Sequence, residues 1–294
     1  MTVRRTLPHR DRSFVGAWCF VDHYGPQCVG PDGEGGMDVL PHPHTGLQTV
    51  SWLFEGEIEH RDSAGVIEPV RPGEVNLMTA GRGIAHSEVS TPETTRLHGV
   101  QLWTVLPESD RNGARGFEHF APEPVELPGD AGTARVFFGA LPGVASSPVQ
   151  AATPLLGAQL NLRPGARLDL AVQSDFEHGL LVDSGEVSCE GVRLPPSALG
   201  CLDPGRQILR IEVGDESALL ILLGGTPFDE EIVMWWNFVG RSHEEIVTFR
   251  DQWQARSERF GEVPGYVGRV DCIPAPALPP VRLRPRHRRG TGGR

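Results

Sequence analysis

The stretch HPHTGLQTVSWLFEGEIEH, residues 42–60, sets two histidines one residue apart ahead of an apolar, partly β-branched run that ends at Gly56. Short runs of this kind between turn residues favour strands over helices. In a strand alternate side chains point the same way, so His42 and His44 present two imidazoles to one face. Alone, the pair has two readings: the arms of a metal site, or two polar side chains on a solvated strand.

A second pair favours the metal. In MTAGRGIAHSEVS, residues 78–90, His86 and Glu88 are again two apart and follow a glycine-rich turn at Gly81 and Gly83. Two such pairs on neighbouring strands of one barrel converge three imidazoles and one carboxylate. That donor set suits a first-row divalent ion of borderline softness and leaves coordination positions open. Calcium takes oxygen ligands and fits three imidazoles poorly. The five cysteines contain no CxxC pair, which excludes a cysteine-rich zinc site.

Composition agrees with a mostly β protein. A chain of 294 residues is long enough for two packed cores. Its 36 glycines and 26 prolines lie scattered between short apolar runs, as many strands joined by tight turns require. The net charge of −11 includes the segment RLRPRHRRGTGGR, residues 282–294, with six arginines and no acid, so the remainder is more acidic still. An acidic body repels phosphate backbones, so no direct sequence-specific nucleic-acid binding is expected, and contact with nucleic acid or an acidic partner is left to the basic tail. The odd cysteine count, the missing apolar leader and the lack of a span of about 18 apolar residues point to a reducing, cytoplasmic compartment and away from a membrane.

Strand-like text runs from Gly36 to about Leu106, gives way to a polar, proline-containing crossing segment over residues 111–132, and resumes from TARVFFGAL through LLILLGG. An ungapped alignment of residues 42–58 with residues 171–187 brings Gly56-Glu57-Ile58 over Gly185-Glu186-Val187. A duplicated unit gives such a match, and so does a hairpin turn common to both halves. Ala171 and Gln173 then stand opposite His42 and His44, so metal chemistry is confined to the first half. In SHEEIVTFRDQWQARSERFG, residues 242–261, Ser242 and Glu245 fit a capping box and Ile246, Phe249, Trp253 and Phe260 recur at helical spacing. One amphipathic helix packed on the second domain is expected.

The two histidine motifs lie within HPHTGLQTVSWLFEGEIEHRDSAG (42–65) and GEVNLMTAGRGIAHSE (73–88). With RTLPHRDRSFVGAWCFVDHYGP (5–26), LHGVQLWTVLP (97–107) and FDEEIVMWWNFVGRSHEEI (228–246), they resemble the pirins, two-domain proteins of the cupin superfamily. The resemblance implies an all-β dominated fold of two cupin-type jelly-roll β-barrels with a C-terminal helix. Residues 1–130 form the expected metal-binding domain, residues 131–270 a cupin domain lacking metal ligands, and residues 271–294 a disordered basic tail. It further implies one divalent transition metal held by His42, His44, His86 and Glu88, iron first, with manganese, nickel, copper, cobalt or zinc as alternatives.

Two functions follow from the resemblance. One is a quercetin 2,3-dioxygenase-type oxygenase acting on a small aromatic flavonol, with Glu88 as base and Trp52, Phe54 and Trp103 as candidate slot walls. The other is a redox-sensing regulator that binds a protein partner without catalysis. A monomer is expected in either case. One departure stands out: Gln48 replaces the glutamate common in the family, where other cupins place a carboxylate ligand, and bears on the hydrogen bonds behind the metal. His23, His60 and His98 are read as strand or pocket-wall residues outside the ligand set.

Overall fold

The computed structural model describes residues 1–268 and 270–286. Its first strands are β1 (Val3–Leu7), β2 (Trp18–Cys28), β3 (Asp38–His44), β4 (Leu47–Glu55), β5 (Ile58–Asp62), β6 (Ile67–Val70), β7 (Val75–Thr79), β8 (Ile84–Ser90), β9 (Arg96–Val105) and β10 (Gly116–Phe120). Strands β2, β9, β4, β7 and β10 lie side by side in one sheet, and β3, β8, β5 and β6 in another. The sheets face one another, since Ser51 of β4 hydrogen-bonds Glu88 of β8. This is the two-layered packing of a jelly roll.

The chain then repeats the plan with β11 (Val125–Glu126), β12 (Gly132–Phe138), β13 (Ala140–Leu141), β14 (Ala145–Ser146), β15 (Leu155–Leu162), β16 (Arg167–Ala171), β17 (Glu177–Ser184), β18 (Val187–Cys189), β19 (Val192–Leu194), β20 (Leu199–Leu202), β21 (Ile208–Val213) and β22 (Ala218–Gly225). The sheet order β16-β21-β18-β19 copies β3-β8-β5-β6, and β22-β17-β20 copies β9-β4-β7. The expected two-barrel fold is present. Gly56 and Gly185 hold φ of 88° and 90° at the same turn of each copy. A Cβ there would meet the carbonyl of Arg96 in the first copy and of Ser217 in the second, which is why glycine recurs.

Pairing register corrects the ungapped alignment by one residue. If Ile58 matches Val187, their neighbours Ser90 and Val213 match as well, and Glu88, His86 and His60 fall on Ile211, Leu209 and Cys189. Leu209 pairs with Leu170, as His86 pairs with His42. Leu170 therefore takes the place of His42, whereas Ala171 is exposed. These apolar replacements join Leu156, Leu160, Leu180, Leu220 and Leu222 in the core of the second barrel.

Two compact units divide the chain, one of Met1–Val3, Asp22–His119 and Asp229–Arg294, the other of Arg4–Val21 and Phe120–Phe228. The division is interleaved, unlike the contiguous split expected at residues 130 and 270. Polar satisfaction explains the place of Arg4–Val21. Buried Glu177 accepts the Gly16 N–H at 2.8 Å and Arg12 Nη1 at 3.3 Å, and Trp18 donates to the carbonyls of Leu156 and Gly224 at 3.2 and 3.1 Å. The crossing segment over residues 111–132 contains β10, which extends the first large sheet beside β7.

The C-terminal region returns to the first unit. A hairpin of β23 (Val233–Trp235) and β24 (Phe238–Gly240) precedes α1 (His243–Gln254), whose cap is formed by Ser242 Oγ accepting from the Glu245 N–H at 3.2 Å. Ile246, Phe249 and Trp253 pack with Phe260 against Val233, Phe238 and Ala85 of β8. The helix thus belongs to the first unit and not to the second domain, because Val239 N–H binds the Thr45 carbonyl at 3.1 Å and brings the chain back beside β3. Residues 271–286, expected in a disordered tail, are packed too. Cys272 and Ala275 are buried, Ile273 N–H binds the Pro41 carbonyl at 2.9 Å, and Arg282 pairs with Glu244. The remainder of that expected tail, residues 287–294, lies outside the described residues. Among the described residues no helix is long and apolar enough to cross a membrane.

One buried group in the second barrel yields a stability test. His178 of β17 has no hydrogen-bond partner at either ring nitrogen among the described residues. Burial pushes its pKa from the ordinary 6.5 down to about 4, against an opposing effect of Asp175. The folded value lies below the unfolded one, so stability is lost as pH falls from about 6.5 towards 4. His178→Leu is expected to raise the unfolding free energy from urea titration more at pH 5 than at pH 7, the difference being on the order of 2 kcal/mol.

Candidate metal centre

Three neighbouring strands each deliver a pair of polar residues spaced i, i+2. Strand β3 carries His42 and His44, β8 carries His86 and Glu88, and β5 carries His60 and Asp62. Strand alternation puts each pair on one face. Register aligns them, with His86 between His42 and Asp62, and Glu88 opposite His60. All six side chains are buried.

The ligating atoms of His42, His44 and His86 all lie within 4.8 Å of one another. Nε2 of His44 and Nε2 of His86 are 3.1 Å apart. A second set within the same limit comprises His60, His86 and Glu88, so Glu88 joins the cluster through His86. Oε1 of Glu88 accepts from Ser51 Oγ at 2.6 Å, and the same hydroxyl lies 3.0 Å from Gln101 Oε1.

Backbone carbonyls fix two of the rings. Nδ1 of His42 is 2.9 Å from the Leu40 carbonyl, and Nδ1 of His44 is 3.2 Å from the Asn237 carbonyl. A carbonyl only accepts, so each Nδ1 carries the hydrogen and each neutral ring keeps its lone pair on Nε2. Burial lowers the pKa of His42 to about 4, opposed by its bond to Leu40 and assisted by His60. Burial, with the neighbouring imidazoles, holds His44 and His86 well below the usual histidine range. Glu88 shifts upward, because burial outweighs the lowering effects of His60 and the Ser51 hydrogen bond. The result is a set of uncharged imidazoles with lone pairs available, the state a metal requires.

His42, His44 and His86 come together as a cluster with Glu88 beside it. Asp62 was missed, and His60, placed outside the ligand set, touches one of its members: its Nδ1 lies 3.4 Å from His86 Nδ1 and its Nε2 3.2 Å from Asp62 Oδ2. The signal was available in EIEHRDS, where a third i, i+2 polar pair follows the same strand logic as the other two. His23 and His98 form a separate buried contact, Nε2 to Nε2 at 3.3 Å.

Gln48 also stands corrected. It donates to Thr79 Oγ1 at 2.9 Å and accepts from Thr104 Oγ1 at 3.2 Å. Being three residues from Ser51 in an unbroken strand pairing, it occupies the sheet face opposite the one that meets Glu88. The substitution therefore leaves the hydrogen bonds behind the cluster untouched. Of the candidate slot walls, Trp103 packs edge-on against His44 with centroids 5.1 Å apart, Trp52 turns to the Gln48 face, and Phe54 packs on His98.

Burying neutral imidazoles has a consequence for the metal-free protein. The folded pKa of His42 lies below the unfolded value, so its contribution is complete above about pH 6.5 and lost as pH falls towards 4. Metal-free protein is expected to lose on the order of 2 kcal/mol from His42 alone between pH 7 and pH 5. Urea titrations at the two pH values check this, with a smaller loss expected in His42→Gln.

Comparison with known proteins agrees with this geometry. Residues 1–104 match the family model described as Pirin, and residues 157–261 the model described as Pirin C-terminal cupin domain. A crystal structure of a quercetin 2,3-dioxygenase from Acinetobacter baumannii superposes with a TM-score of 0.89 at 39% identity, covering 96% of this chain and 92% of that one. A Pseudomonas aeruginosa protein provisionally named a quercetin 2,3-dioxygenase is 42% identical over 283 residues, 96% of this chain and 86% of its own. Human pirin is 30% identical over 211 residues, 70% of this chain and 72% of its own. The chain belongs to the pirin family of two-barrel cupin proteins.

Proposed function

We propose that the protein is a mononuclear metal-dependent oxygenase of the quercetin 2,3-dioxygenase type, acting on a flavonol with dioxygen. The observation that carries the reading is the cluster of three buried imidazoles whose ligating nitrogens lie within 4.8 Å of one another beside a buried carboxyl, with carbonyls at Nδ1 of His42 and His44 leaving their Nε2 lone pairs free. Burying that many polar groups is costly without a compensating partner. Three nitrogen donors and one carboxylate fit a first-row divalent ion with open positions. His42, His44 and His86 would hold it with Glu88 as the fourth donor, and iron is the ion the family resemblance favours.

When bound, the metal supplies Lewis acidity that lowers the pKa of a flavonol 3-hydroxyl and the redox capacity needed for dioxygen chemistry. Glu88 does the proton work. It would accept the hydroxyl proton on a carboxylate oxygen, while Ser51 donates to Oε1 at 2.6 Å. Trp103, edge-on to His44, offers an apolar wall to a flat aromatic ligand. The relatives from Acinetobacter baumannii and Pseudomonas aeruginosa support the substrate class through their names.

Protein purified without oxygen and loaded with iron is expected to consume quercetin and dioxygen and to release carbon monoxide. His42→Ala should lose both metal and turnover. Glu88→Gln should lower the rate by about 100-fold or more, as removal of a positioned base does. Absence of turnover with every first-row divalent metal would remove the enzymatic reading and leave a metal-binding regulator.

A further inference from the structure

The three imidazoles differ in what stands behind them. Leu40 and Asn237 offer neutral carbonyls to His42 and His44, whereas His86 is backed by another histidine and, beyond it, a carboxylate. Asp62 is wholly buried, and its Oδ1 is occupied by the N–H groups of Ala64 at 2.8 Å and Val66 at 3.2 Å. Its Oδ2 faces His60 Nε2 at 3.2 Å. Phe117 lies against the His60 ring, with centroids 5.0 Å apart.

The hydrogen positions along this line can be deduced. An ionised carboxylate only accepts, so His60 Nε2 carries the hydrogen in the contact with Asp62. A neutral His60 then has only a lone pair on Nδ1. The partner at that atom, His86 Nδ1, must be the donor, which leaves the His86 lone pair on Nε2, the nitrogen that meets His44 Nε2 at 3.1 Å.

We propose that Asp62 and His60 are positioning residues that select the His86 tautomer and present its Nε2 to the metal. This role rests on the metal assignment of His42, His44 and His86 and gives the third strand pair a purpose. The two β5 residues touch no substrate. They set the orientation and basicity of one ligand, and the anion at the end of the line makes His86 the most electron-rich of the three.

Histidine nitrogen NMR of wild-type protein, metal-free and loaded with Zn(II), tests the tautomers directly. The expected pattern is hydrogen on Nδ1 of His86 and on Nε2 of His60; hydrogen on Nδ1 of His60 overturns the proposal. Zn(II) affinity by chelator competition separates tautomer selection from packing. His60→Leu and Asp62→Asn should weaken binding by about 10- to 100-fold, the usual effect of losing a partner behind a metal ligand. His60→Gln should stay within a few-fold of wild type, because its amide can accept from His86 and donate to Asp62. Equal loss in His60→Gln and His60→Leu, or no loss in either, overturns the proposal. Full Zn(II) affinity in His42→Ala would instead overturn the metal assignment, and the metal-free spectrum would still decide the tautomers.

Discussion

Buried imidazoles need an acceptor for every Nδ1 hydrogen, and much of the first unit is arranged to provide one. An unmet buried donor costs about 1–3 kcal/mol. Leu40 and Pro41 fall where the β3–β8 register shifts between Val39 and His42, outside the paired ladder. The Leu40 carbonyl faces His42, and the Pro41 carbonyl takes Ile273 N–H from the C-terminal segment. The Asn237 carbonyl reaches His44 only because the C-terminal hairpin lies beside Thr45. A local irregularity and a distant return of the chain thus solve the same problem for neighbouring ligands.

The two barrels show how little backbone change separates a polar centre from an ordinary core. Strand order and turn glycines repeat, yet His42, His86, Glu88 and His60 correspond to Leu170, Leu209, Ile211 and Cys189. The apolar set needs no partner beyond close packing. The polar set recruits Ser51, Asp62 and two backbone carbonyls to be tolerated at all. Such recruitment is what permits their burial, which opposes folding unless each group is satisfied.

Strand pairs were more legible than their surroundings. The i, i+2 spacing at His42 and His86 carries its own geometry, because a strand turns spacing directly into a shared face. The same rule covers His60 and Asp62, but a lone HxD beside a turn does not announce which strand its neighbour is. Gln48 shows the opposite limit. Family comparison flagged it, whereas counting three residues to Ser51 along β4 puts it on the other side of the sheet, held between two threonines.

The sequence by itself determined the local facts: mostly strands, a repeated glycine turn, two histidine motifs, a capped helix at Ser242, and a family resemblance that the comparisons bear out. Those follow from interactions between residues close in the chain. Tertiary structure decided the one-residue offset between the copies, the interleaved units, the side to which the helix and residues 271–286 belong, and the acceptors behind each imidazole. Each of these depends on pairing register or on contacts between residues far apart in sequence, such as His44 with Asn237. Residue spacing along one strand carries no information about them.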